Sequence, residues 1–312
     1  LETYDLAIAW CWEHDADFVY RIDRECGGRG IRSYLIYPHN LFETLCRMEK
    51  DELSFRVFFD RASDQEEAFD RLVEMMLGRG LKMINHADRL PLAADKARMQ
   101  KELASQEVCV PKTLVIPAWN KRLQLNPAGL DKIRAPFVVK PAGGGCGDGV
   151  VTDVQDMQGI QLARQRFPND RYLVQEKIEP VRIDSRRAWF RVFFAFGEVL
   201  PCWWDDQTKI ADLLSSSQVD KRIYSEIESI MRKTSRISKL ELFSTEMALT
   251  PGGKLVVVDP VNDQVDLRKK SSHLDGIPDE VVDRIVVNLV AWVKKRVGST
   301  PGRRKVSLCA KT

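Results

Sequence analysis

The sequence predicts an α/β protein whose first ninety residues are built differently from the rest. Over residues 1–92, strand-sized apolar runs alternate with helix-like stretches, as in a parallel sheet with crossover helices. Beyond residue 92 the strands come in pairs around glycine turns, which reads as antiparallel hairpins in α+β lobes. With 312 residues, 44% of them hydrophobic and 30% charged, the chain has material for two or three packed lobes.

In order along the chain, residues 4–10, 33–37 and 55–59 are the first three strands, the third rich in aromatic residues. Residues 15–26 read as a helix closing on Gly27-Gly28. Residues 64–77 read as another, capped by Ser63 and stopped at Gly78. A short strand over 82–85 follows. Pro91 precedes a polar helix over 92–106, and Pro111 and Pro117 make 108–117 extended. Residues 137–140 form a buried strand that runs into Pro141 and Gly143-Gly144-Gly145-Cys146-Gly147-Asp148-Gly149. A strand resumes at 150–152, so the glycines sit at a hairpin tip. Residues 172–175 are a further strand. Residues 189–196 and 198–204 flank Gly197 as a second hairpin, and 242–249 with 254–258 form a third around Pro251-Gly252-Gly253. An amphipathic helix spans 278–297, and a Gly/Ser/Pro/basic tail over 299–312 is expected to fray.

Composition excludes several classes of function. Net charge is +3, from 48 basic and 45 acidic residues, which gives no electrostatic case for a nucleic-acid or membrane binder. The longest apolar runs fall far short of the roughly 20 residues of a membrane span. Leu1-Glu2-Thr3-Tyr4-Asp5 lacks the basic and apolar regions of a signal peptide. Seven dispersed cysteines with no CxxC pair read as reduced thiols, and the expected location is the cytoplasm.

Three groups of residues carry candidate chemistry. Lys140 ends an apolar strand and leads directly into a seven-residue window holding five glycines. Such a loop can turn its N–H groups toward phosphate oxygens, but it is neither a Walker A loop nor a dinucleotide fingerprint. Alone it is weak evidence, since glycine hairpins are common. Gln175-Glu176-Lys177-Ile178 closes a strand whose edge can offer a carbonyl and an amide to a purine, although a charged strand end is an ordinary feature. Glu246 and Asp259 lie in apolar stretches of two strands joined by the Pro251-Gly252-Gly253 turn. Folding that hairpin sets the carboxylates opposite each other with Asn262 just beyond. The result is a hard oxygen set suited to Mg²⁺ on phosphates, and unpaired charges there would be costly.

In this order the groups resemble the ATP-grasp superfamily over most of the chain. Asp95-Lys96 and Val108-Cys109-Val110-Pro111-Lys112-Thr113 are similar to the start of its nucleotide domain, and residues 137–149 to its lysine strand and glycine-rich loop. Residues 174–178 resemble its adenine hinge, and Phe190-Arg191-Val192-Phe193-Phe194 its arginine strand. Thr245-Glu246-Met247-Ala248 through Val258-Asp259-Pro260-Val261-Asn262 resemble its metal hairpin. The resemblance implies an ATP-grasp fold with a Rossmann-like pre-ATP-grasp domain over 1–92. It implies a central lobe over 93–175, a C-terminal lobe over 176–298 and a basic tail over 299–312. It places Lys96, Lys140 and the backbone of Gly144, Gly145 and Gly147 on the phosphates of ATP. Gln175, Glu176, Lys177 and Ile178 would hold the adenine, Asp184 the ribose, and Arg191 the transferred phosphate, making Lys140 and Arg191 the catalytic cations. Glu246, Asp259 and Asn262 would ligate Mg²⁺, or Mn²⁺ in its place. One departure stands out: the family pattern is Glu-x-Asn, whereas this chain has Asp-x-x-Asn, so Asp263 could substitute for Asn262.

The reaction implied is that of a carboxylate–amine ligase. ATP activates a small-molecule or peptide carboxylate as an acyl-phosphate, and an amine or thiol attacks it. No nucleic acid or membrane partner is implied, and a homodimer is allowed. An inositol-phosphate-type kinase and a nucleotide-binding scaffold without turnover are the alternatives. Cys146 could be a nucleophile or a small loop filler. His86 and His273 sit near possible site loops, with surface roles favoured. Trp203-Trp204-Asp205-Asp206, Ser215-Ser216-Ser217 and Arg268-Lys269-Lys270 mark where an acceptor could lie.

Overall fold

Strands β1 (Glu2–Trp10), β2 (Ser33–Ile36), β3 (Leu53–Arg61) and β4 (Lys82–Ile84) form one sheet in the order β2-β1-β3-β4. In this computed structural model, residues 1–125, 129–145 and 147–298 are described. β1 runs parallel to both neighbours, with Ala7 opposite Tyr34 on one side and Phe58 on the other. Leu6 to Ala9 are buried without a break, as expected of a central parallel strand covered on both faces. The crossovers are α1 (Ala16–Gly28), α2 (Pro38–Glu49) and α3 (Asp70–Gly78). Two of these differ from the sequence expectation. α3 starts six residues later than residue 64, because the Ser63 hydroxyl donates to Asp60 instead of capping a helix. α2 is a helix the sequence reading did not single out. Pro38 stands in its first turn, and Asn40 accepts the Tyr37 N–H at 2.9 Å.

Contacts divide the chain into two compact units: Leu1–Met83 with the chain from Ile285 on, and Ile84–Arg284. The second unit begins with α4 (Leu90–Ala94) and α5 (Lys96–Ser105), where the sequence suggested one helix. Asp95 adopts an extended backbone and accepts the Arg98 N–H at 3.1 Å, so it ends one helix and caps the next. The cap places Lys96 in the first turn of α5.

An antiparallel sheet follows, from β5 (Thr113–Ile116), β6 (Phe137–Pro141), β7 (Val151–Val154), then α6 (Met157–Ala163) and β8 (Tyr172–Glu176), in the order β5-β8-β6-β7. Its core is Ile116, Phe137, Val139, Val154, Ile160, Tyr172 and Val174. A two-stranded hairpin, β9 (Arg182–Ile183) with β10 (Arg186–Arg187), leads to a five-stranded antiparallel sheet. That sheet contains β11 (Trp189–Ala195), β12 (Glu198–Trp204) and β13 (Ala211–Leu213). After α7 (Lys221–Ser238) come β14 (Leu242–Leu249) and β15 (Leu255–Asn262), in the order β13-β12-β11-β14-β15. Finally α8 (Asp279–Val297) runs from the second unit into the first. No helix among the described residues is long and apolar enough to cross a membrane.

Side chains of a strand alternate between faces, and the five-stranded sheet uses its two faces differently. Phe190, Val192, Phe194, Phe243, Met247 and Leu249 share a buried core with Ile227, Ile230 and Met231 of α7 and with Met99 and Leu103 of α5. The opposite face carries Trp189 and Arg191 of β11 and Ser244 and Glu246 of β14. Packing one face on two helices thus leaves the other to hold charge.

Candidate functional site

On that polar face Glu246 is opposite Arg191 on one side and Asp259 on the other. The Asp-x-x-Asn spacing is resolved by the register. β14 and β15 slip between Ser244 and Glu246, and again between Glu246 and Met247. The slip takes up the additional residue, so Asn262 comes opposite Ser244, two positions from Glu246 along the same face. Asp263 is engaged elsewhere: its Oδ1 accepts from Asn85 Nδ2 at 2.7 Å, while Asn85 also binds the backbone of Glu241 and Leu242.

The electrostatics of this hairpin are unbalanced. Burial pushes the Glu246 carboxyl above the usual glutamate range against the pull of Arg191, and Asp259 pushes the same way. Asp259 Oδ1 is buried and has no hydrogen-bond partner, and Asn262 Nδ2 is likewise unpaired. A half-turn of the Asn262 amide would put its carbonyl in that position instead. Arg191 donates to Ser244 Oγ at 3.4 Å, and its guanidinium lies 4.9 Å from the centroid of the Trp204 ring.

The lysines come from two elements, β6 and α5. Lys140, at 5% exposure, sits on β6, and its Nζ donates to the carbonyl of Val258 at 2.9 Å, next to Asp259. Burial lowers its pKa most, Lys96 adds to that, and Asp259 and Glu246 oppose it. Lys96 is also buried, and its Nζ donates to the carbonyl of Gly144. The glycines do join β6 to β7 as a hairpin. Gly144 and Gly147 have φ of +78° and +76°, which side-chain-bearing residues rarely adopt, and a Cβ on Gly149 would lie 2.6 Å from Phe167. Cys146 lies outside the described residues.

At the end of β8, Gln175 is buried and donates to Gln100 Oε1 at 3.0 Å and Thr113 Oγ1 at 2.8 Å. Glu176 exchanges backbone and side-chain bonds with Lys112: its N–H reaches the Lys112 carbonyl at 3.0 Å, and its Oε1 accepts the Lys112 N–H at 2.8 Å. Lys177 pairs with Asp153 at 2.7 Å and Glu179 at 3.2 Å. Ile178 follows, half-buried, outside the strand. Asp184 is exposed at the tip of the β9–β10 hairpin with φ +47°. Its neighbours do not pair with it: Arg186 binds Asp212 at 3.0 Å and Arg187 binds Asp206 at 2.8 Å. The triplet Arg268-Lys269-Lys270 is taken up too, by Asp266 and Asp275, by Asp279 and Asp283, and by Asp212.

No family model matches the chain, and no curated protein sequence matches it. Solved structures do. A D-alanine–D-alanine ligase from Bacillus anthracis, complexed with ATP, superposes with a TM-score of 0.66 at 12% identity, covering 94% of this chain and 96% of that one. A RimK domain protein ATP-grasp from Sphaerobacter thermophilus gives 0.63 at 19% identity over 92% of this chain and 99% of its own. The ATP-grasp ligase PsnB, complexed with minimal precursor, Mg and ADP, gives 0.63 at 12% identity, covering 94% and 98%.

This chain has the ATP-grasp fold.

In ATP-grasp terms, one feature near the charged face escaped the sequence reading. Lys209 lies in the turn between β12 and β13 with φ +62°. The turn is tied by bonds from Asp205 N–H to Ile210 O at 2.9 Å and from Lys209 N–H to Asp205 O at 2.8 Å. Its ammonium is 5.9 Å from the Trp204 ring, on which Arg191 also lies, and it pulls the Glu246 pKa down. A lone lysine in a polar turn gives no sequence signal; only pairing of β12 with β11 shows what it approaches. Among the described residues no three His, Cys, Asp or Glu side chains group as a metal site. A cation on the ATP-grasp hairpin would therefore rely on two carboxylates and an amide.

Proposed function

We propose that this protein binds Mg-ATP on the Glu246–Asp259 hairpin and uses it as a carboxylate–amine ligase. One observation carries the reading. Asp259 Oδ1 is buried without a partner opposite Glu246, whose ionised form burial disfavours, and Lys140 is anchored beside both. A fold does not retain such charge for stability, since an unpaired buried carboxylate costs free energy. A bound divalent cation and a triphosphate would balance it. The donor set fits Mg²⁺: two carboxylates and the Asn262 amide are hard oxygen ligands, and phosphate oxygens and water would complete the shell. Mn²⁺ accepts the same donors.

When bound, the metal neutralises and aligns the phosphates. This chain's residues would do the rest. Lys140 and Lys96 exchange their carbonyl partners for phosphate oxygens, and the N–H groups of Gly144, Gly145 and Gly147 add donors. The hinge of Gln175, Glu176, Lys177 and Ile178 is the proposed adenine site. Since Glu176 already serves Lys112, the backbone is the stronger part of that assignment. Arg191 and Lys209 would steady the transferred phosphate as it passes to a substrate carboxylate, giving ADP and an acyl-phosphate, whose acyl carbon an amine or thiol would attack to form an amide or thioester with release of phosphate. Asp184 remains a ribose candidate on the resemblance alone. The first unit, with its parallel sheet, is read as the pre-ATP-grasp domain that helps bind the acceptor.

An inositol-phosphate-type kinase needs a basic cleft for its polyphosphorylated substrate. Arg186 and Arg187 are neutralised by Asp212 and Asp206, and Arg182 donates to the Ser185 carbonyl at 2.6 Å, which favours the ligase. Calorimetry tests the nucleotide site. ATP should bind in the presence of Mg²⁺ and lose most of its affinity in Lys140→Ala. Absence of binding, or equal binding by the variant, overturns the proposal.

A further inference from the structure

Trp189 stands at the start of β11, diagonal to Glu246 on the polar face of the sheet. Its indole N–H donates to Glu246 Oε2 at 3.4 Å, and the residue is 8% exposed. Packing alone would be met by phenylalanine; what tryptophan adds is a donor that cannot accept or ionise. The pairing is not general in this chain, since the buried indole N–H groups of Trp10 and Trp204 have no partner.

We infer that Trp189 is a positioning residue for the cation site, its N–H holding one carboxylate oxygen of Glu246 so that the other serves the metal. The inference rests on the Mg-ATP reading. A carboxylate at the end of a glutamate side chain has three torsions to fix. Arg191, opposite it in register, donates to Ser244 and leans on Trp204. The indole therefore supplies a neutral restraint that leaves the net charge of the carboxylate pair unchanged. Removing an outer partner of this kind commonly weakens metal binding 10–100-fold without touching a ligand.

Two measurements test it. In Trp189→Phe the Mg²⁺ concentration for half-maximal ATP turnover should rise about tenfold or more, while half-saturation by ATP at saturating Mg²⁺ stays within about twofold. An unchanged Mg²⁺ requirement overturns the inference. It leaves the nucleotide reading intact if Glu246→Gln still abolishes turnover. If no protein variant shows Mg²⁺-dependent nucleotide use, the underlying reading falls instead. Should Trp189→Phe fail to fold, the full-length protein still decides. Of its seven indole N–H resonances, one should move when Mg²⁺ is titrated with a non-hydrolysable ATP analogue, and stay fixed in Glu246→Gln. A merely structural tryptophan gives no such signal, and its absence overturns the inference.

Discussion

At Glu246 the proposed function would be kept at the expense of stability. Burial raises its pKa from an ordinary value of 4.5, so the folded protein holds this proton more tightly than the unfolded chain does. Where the folded state binds more protons, stability falls as pH rises, here from about the unfolded value up through the folded one. At neutral pH the glutamate is therefore a net burden. We predict that Glu246→Gln melts at a higher temperature than wild type at neutral pH, with the difference shrinking as pH is lowered toward the glutamate range. Thermal melts at several pH values check this, and a variant less stable than wild type at neutral pH would refute it. The same substitution and Asp259→Asn should each lower ATP-dependent turnover by about 100-fold or more, on the order of 3 kcal/mol. Normal rates in both would remove the metal hairpin from the chemistry. Lys140 carries the mirror-image burden: burial lowers its pKa, so its charged form is held against the preference of its surroundings.

At the scale of elements, the glycine hairpin between β6 and β7 is tied down at its margins. Arg166 pairs with Asp148, the Asp148 N–H reaches Gly145 O at 3.1 Å, and Lys96 holds the Gly144 carbonyl. No backbone acceptor among the described residues takes the N–H of Gly144, Gly145 or Gly147. Those amides should exchange fast without nucleotide and slow markedly with a non-hydrolysable ATP analogue; unchanged exchange would mean that they do not meet phosphate. The hairpins with glycine turns were legible in the sequence because glycine turns between apolar runs fix both ends of a strand, as at Gly197 and Pro251-Gly252-Gly253, whereas β9–β10, turning through Asp184 and Ser185, was not. The helices were less so. α7 passed unnoticed because its buried apolar residues, Ile227, Ile230 and Met231, are few among many charged ones. The break at Asp95 is a backbone event whose only sequence mark is one capping residue. Within the site, folding the hairpin brings Glu246 and Asp259 together as the sequence suggested, but they face each other only through the slip between Glu246 and Met247. The slip that returns Asn262 to the same face, and the approach of Lys209, depend on strand pairing and could not be read from spacing.

At the scale of the whole molecule, the question is which bond the transferred phosphate enters. On the proposed reading, a ligase and a small-molecule kinase would share this fold, two lysines, an arginine and a metal hairpin, because all of these would act on the triphosphate and none on the acceptor. What separates them is the charge offered to the second substrate. The chain has a net charge of +3, and Arg186 and Arg187 of the β9–β10 hairpin are spent on Asp212 and Asp206. The loop after β15 spends its three basic side chains on acids of its own unit. A polyphosphorylated acceptor would need several unpaired cations, whereas a single carboxylate needs only one. We therefore predict that ADP and phosphate are released only when a carboxylate substrate is supplied, and that hydroxylamine diverts the intermediate to a hydroxamate. Screening amino acids and short peptides with hydroxylamine, while following ADP and product mass, should yield a hydroxamate for at least one. The contrary result is equally definite. Labelled γ-phosphate that ends on a stable phosphorylated polyol, with no hydroxamate, amide or thioester formed, would make the protein a kinase.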